Sequence, residues 1–72
     1  MGVDKKDKIL IIRIKALFDK YKNDPETLQE IGSKLSMFEI NRTIARELND
    51  KSSETDIARE FSIYLLKLEK RG

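Results

Sequence analysis

The sequence predicts a small all-α domain of four helices with short connections. Apolar residues recur at three- and four-residue spacing through most of the chain, which is the period of a helix with one buried face. Asp24, Ser36 and Ser53 each stand where a side-chain oxygen caps a helix start. The expected helices cover about 4–22, 25–34, 37–48 and 54–70, all within one domain spanning 1–72.

In the first helix Leu10, Ile14, Leu17, Phe18 and Tyr21 fall on one stripe at i, i+4, i+7, i+8 and i+11. Ile9, Ile11 and Ile12 lie off it, so the first half is apolar nearly all round, a pattern that asks for burial on two sides. The β-branched run of residues 9–14 leaves a short strand as the alternative there.

Asn23-Asp24-Pro25-Glu26 punctuates the chain clearly. Asp24 suits an N-cap, Pro25 the first helical position where its missing N–H is not needed, and Glu26 the positive end of the helix dipole. Ser36-Met37-Phe38-Glu39 reads as a capping box, with Leu35 and Ile40 as its hydrophobic staple. The helix it opens turns Met37, Ile40, Ile44 and Leu48 inward. Residues 49–53 form a loop in which Ser52 or Ser53 caps the last helix, and that helix buries Ile57, Phe61, Tyr64, Leu65 and Leu68.

Composition narrows the function. In 72 residues there is neither Cys nor His, which removes disulfides, thiol and imidazole nucleophiles, and most metal ligation. The three glycines stand alone at 2, 32 and 72, so no glycine-rich phosphate loop exists. Acidic pairs such as Glu54 and Asp56 sit in a first helical turn, where they serve the dipole. A non-enzymatic protein without cofactor, metal or small-molecule ligand is expected. The apolar run after the charged N-terminus is interrupted at Arg13, too short for a signal peptide or membrane span, so a cytoplasmic location without membrane contact is expected. A core of this size supplies only about 3–5 kcal/mol, so a homodimer or a tight protein partner is expected as well.

Thr27-Leu28-Gln29-Glu30-Ile31-Gly32-Ser33-Lys34-Leu35 resembles the first helix of a helix-turn-helix, with Ile31 and Leu35 as its core pair and Gly32 at the close approach. Ser36 stands where that pattern has its turn glycine, and Arg42 where it has an apolar residue. Residues 65–72 are in turn similar to the end of a winged-helix recognition helix, with Ile44-Ala45-Arg46-Glu47-Leu48 as the preceding helix. A ribbon-helix-helix, with residues 9–14 as its strand, is a third relative whose spacing the Pro25 break exceeds.

The resemblance implies a small DNA-binding transcription regulator. Asn41, Arg42 and Arg46 would face duplex DNA from the reading helix, since forked Asn and Arg side chains match adenine and guanine edges. Lys34 and Lys51 would add cations and Ser36 a phosphate contact at the helix start. A net charge of +2 and a pI near 9.0 are compatible with this. The other reading is a helical protein-interaction or oligomerisation module, an adaptor or inhibitor, with Ile11, Phe38, Ile63 and Leu66 as spare apolar residues for docking.

Overall fold

The computed structural model describes residues 5–71 and contains three helices, α1 (Lys5–Lys20), α2 (Pro25–Glu47) and α3 (Lys51–Lys70), with no strand among the described residues. The all-α class is as expected from the helical apolar period. Residues 9–14 are helical throughout, so the strand alternative falls. The expected first residue of α1, Asp4, lies outside the described residues.

The larger difference is that residues 25–47 form one uninterrupted helix where two were expected. Asp24 and Pro25 open it as anticipated: the Asp24 carboxylate accepts from the Thr27 amide at 3.2 Å and the Thr27 hydroxyl at 2.7 Å. Ser36 then lies within the helix and caps nothing, because no backbone break follows Leu35. The reason is packing. Thr27, Ile31, Leu35, Phe38, Arg42 and Ala45 follow each other at 4-4-3-4-3 spacing, so one straight helix lays them all along its inner side. A turn at 35–36 would break that line and remove Phe38 from the core.

The end of α2 is sharp. Asn49 takes a left-handed conformation (φ 54°), its amide donates to the Arg46 carbonyl at 3.1 Å, and the Asp50 amide donates to the Ala45 carbonyl at 2.9 Å. This is a Schellman closure with asparagine in the place glycine usually takes. Asp50, not Ser52 or Ser53, caps α3: its carboxylate accepts from the Ser53 amide at 3.0 Å and the Ser53 hydroxyl at 2.7 Å. The last helix accordingly starts at Lys51 and not near 54.

The helices run up, down and up, with α3 packed against both others and α1 and α2 meeting each other more sparsely. A 23-residue helix is about 34 Å long, which accounts for the 39 Å long axis of the 39 × 24 × 18 Å molecule. Ile14, Leu17, Ile31, Phe38, Phe61, Leu65 and Leu68 make the core, with Leu10, Tyr21, Leu35, Ile57 and Tyr64 packed half-buried around it. Phe18, expected in the stripe of α1, is exposed at its margin, and Ile9, Ile11 and Ile12 are exposed rather than buried on two sides.

Polar clamps fix α1 on α3. Arg13 donates to both Glu69 carboxylate oxygens (2.8 and 3.0 Å) and to the hydroxyl and carbonyl of Ser62 (2.9 and 3.2 Å). Lys20 Nζ donates to the carbonyls of Leu68, Glu69 and Arg71, and the Tyr21 hydroxyl donates to that of Leu68 at 2.9 Å. These satisfy carbonyls that the C-terminal turn of α3 leaves open.

Candidate interaction surface

α2 carries a second apolar stripe, and it faces outward. Met37, Ile40, Ile44 and Leu48 follow each other at i, i+3, i+7 and i+11, and they are 58%, 60%, 52% and 72% exposed. These are the four residues expected inside. Met37 and Phe38 are consecutive and therefore point about 100° apart on one helix. Phe38, expected among the spare residues, is the one that goes inward, and the Met37 stripe follows outward. Together the four side chains leave on the order of 500 Å² of apolar surface open, at the upper end of what monomeric proteins expose in one patch. Between Met37 and Ile44 the face adds only Asn41 to the apolar chains, with Lys34 at its edge beside Met37.

The residues expected to meet DNA are distributed over several places. Arg42 lies partly buried against the core, donating to Asp7 at 2.9 Å with its guanidinium 4.8 Å from the centre of the Phe38 ring. Arg46 pairs with Glu54 at the start of α3. Lys34 sits over the Tyr64 ring at 5.6 Å. Lys34 and Asn41 line a small groove between α2 and α3, beside Met37. Ser36 is exposed mid-helix beside the outer stripe. Arg42, Arg46 and Lys51 do come together: with Lys6, Asp7 and Glu54 they line a cleft of about 380 Å³ where the N-terminus of α1, the end of α2 and the start of α3 meet.

A wider groove of about 400 Å³ opens between α1 and α2, floored by Leu10, Ile14, Leu35 and Phe38. Helical side chains spaced three or four apart share a face, so a pattern search could have found this floor; the outer stripe was found, but assigned to the wrong side. Gly32, expected at a close helix crossing, faces open space, with nothing within 4 Å of where a Cβ would lie.

Electrostatics favours structure over chemistry. The carboxyls of Asp24 and Asp50 are held below their ordinary range by the hydrogen bonds from Thr27 and Ser53, and that of Glu69 by Arg13. Burial pushes the Tyr64 hydroxyl up to about 12, with the Glu30 carboxylate adding to it, and that buried hydroxyl has no hydrogen-bond partner among the described residues. No group of three or more acidic metal ligands occurs among the described residues, and no described helix is long and apolar enough to cross a membrane. Comparison with known proteins finds no matching family model, no similar curated protein and no similar solved structure.

Proposed function

We propose that this chain is a non-enzymatic helical interaction module that works by pairing with a second copy of itself through the outer face of α2. The observation that carries this is the exposed stripe Met37, Ile40, Ile44 and Leu48, which none of the described elements covers. Antiparallel pairing about a two-fold axis near residue 42 sets Ile40 against Ile44 and Met37 against Leu48, apolar on apolar. The same axis brings Lys34 of one copy near Asp50 of the other, and Glu47 near Ser36 and Met37, so like charges are not opposed. About 500 Å² from each copy gives a total near 1,000 Å², the size of a weak, transient pairing.

Sedimentation equilibrium over a micromolar concentration series tests this. The expected result is a reversible dimer of the 8.4 kDa chain, lost in the Ile40→Ser, Ile44→Ser variant while its helical circular dichroism is retained. A monomer throughout the series, or a dimer indifferent to these substitutions, overturns the proposal.

The DNA-binding reading rests on one observation, the convergence of Arg42, Arg46 and Lys51 with Lys6 around the end cleft. A phosphate there must displace Asp7 and Glu54 from the two arginines. A fluorescence titration against generic duplex DNA at two salt concentrations decides it: binding that steepens at low salt and is lost in Arg42→Ala, Arg46→Ala supports a DNA face. No salt-dependent binding removes it.

A further inference from the structure

The groove between α1 and α2 has a lopsided border. On the α1 side, Lys8 and Lys15 stand seven residues apart on one side of the helix with exposed Ile11 between them, and Lys15 lines the groove itself. Neither Lys8 nor Lys15 has an ion-pair or hydrogen-bond partner for its side chain among the described residues. Glu39 lines the opposite wall and Asp19 follows Lys15 by one turn on α1, and no ion pair joins either to these lysines among the described residues. The Asp7–Arg42 pair closes one end and is neutral overall.

We propose that this groove is a docking site for an amphipathic helix of a protein partner, one whose flank over α1 is acidic. The floor is apolar and concave, formed by Leu10, Ile14, Leu35 and Phe38, and it lies between the two helices of the bundle that pack most sparsely. A fourth helix laid there covers Ile11 and gives the three-helix array the complement of a four-helix bundle. From Asp7 to Lys15 the groove runs about 12 Å along α1, the length of two helical turns, so a partner anchors itself with leucine-sized residues at i, i+3 or i+4, and i+7. Glu or Asp along one of its flanks then meets Lys8 and Lys15. The concavity favours a helix over a lipid surface, which a convex or flat face suits better. This site uses different residues from the α2 stripe and does not depend on self-association.

The test uses two helical peptides of about eighteen residues with the same leucine stripe, one with glutamates along a flank and one with lysines there. Fluorescence anisotropy is measured on the full chain carrying Ile40→Ser and Ile44→Ser, so that self-association does not compete, and on the unmodified chain. The acidic peptide is expected to bind at least tenfold more tightly than the basic one, several-fold more weakly when salt rises from about 50 to 300 mM, and equally to both proteins. Lys8→Glu with Lys15→Glu is expected to invert the preference while leaving the circular dichroism unchanged. No binding of the acidic peptide, or equal affinity for both peptides, overturns the proposal. So does binding to phosphatidylglycerol vesicles without peptide selectivity, which would assign the edge to a membrane surface.

Discussion

The rings of Phe38 and Phe61 stack nearly parallel, with centroids 4.5 Å apart and planes 11° apart. Phe38 lies on the stretch where a turn was anticipated, and this stack is what holds that stretch in the middle of a helix. Arg42 one turn along packs over the other side of Phe38, and Tyr64 extends the aromatic row from Phe61 at 6.4 Å.

Phe38→Ala is expected to cost about 3–5 kcal/mol, the range for removing a buried aromatic side chain. That matches the whole stability expected of a core this small, so the variant should be largely unfolded at room temperature. Urea unfolding followed by circular dichroism checks this. A loss below about 1 kcal/mol would mean that residue 38 lies outside the core.

Gly32→Ala is expected to stabilise the domain by roughly 0.5–1 kcal/mol, because the site is helical and the added methyl meets open space. The helix-turn-helix arrangement makes the opposite prediction, since there Gly32 is the point of close approach. A rise in the urea midpoint at unchanged slope supports the continuous helix, and a fall supports a tight crossing.

Acid should loosen the attachment of α1. Arg13 lowers the pKa of Glu69, so the carboxylate's contribution is fully present above its ordinary value and is lost as pH falls through the lowered one. Asp24 and Asp50 act in the same direction through their caps. The pair is partly exposed, and solvent screening limits its contribution to about 1 kcal/mol. Thermal unfolding from pH 7 down to about pH 3 is expected to show Glu69→Gln less stable than the parent at pH 7 and losing less on acidification. Parallel pH curves for the two proteins would contradict it.

Alkali should act through Tyr64. Its pKa is raised from 10.0 to about 12, so its neutral form favours the fold below the unfolded value and that contribution disappears as pH rises between the two. Its hydroxyl is buried without a partner among the described residues, so Tyr64→Phe is expected to be neutral or mildly stabilising at pH 7 and to remove part of the loss above about pH 10. Ultraviolet titration of tyrosinate in the parent against Tyr64→Phe checks this: a Tyr64 ionising at its ordinary value near 10 would disprove its burial.

Helical class, the Asp24–Pro25 start and the inner line of the last helix were legible in the sequence because each is local. Caps act within one turn, and Phe61, Leu65 and Leu68 declare their face by spacing alone. The middle of the chain was not legible in this way. From Ile31 to Leu48 two apolar stripes interleave, and Ser36 with Glu39 offers cap chemistry at the point where they overlap. Local rules resolve such a conflict by a break, giving two helices each with one apolar face. In the folded chain Phe61 offers Phe38 a stacking partner, and a continuous α2 buries Ile31, Phe38 and Ala45 together on α3. The same choice carries Arg42 to Asp7 and Arg46 to Glu54, and turns Met37, Ile40, Ile44 and Leu48 to the outside. The amino-acid sequence by itself therefore determined that these segments are helical. Which of the two stripes on α2 meets the core was decided only by tertiary packing, because a side chain's face gains its value from what stands opposite it.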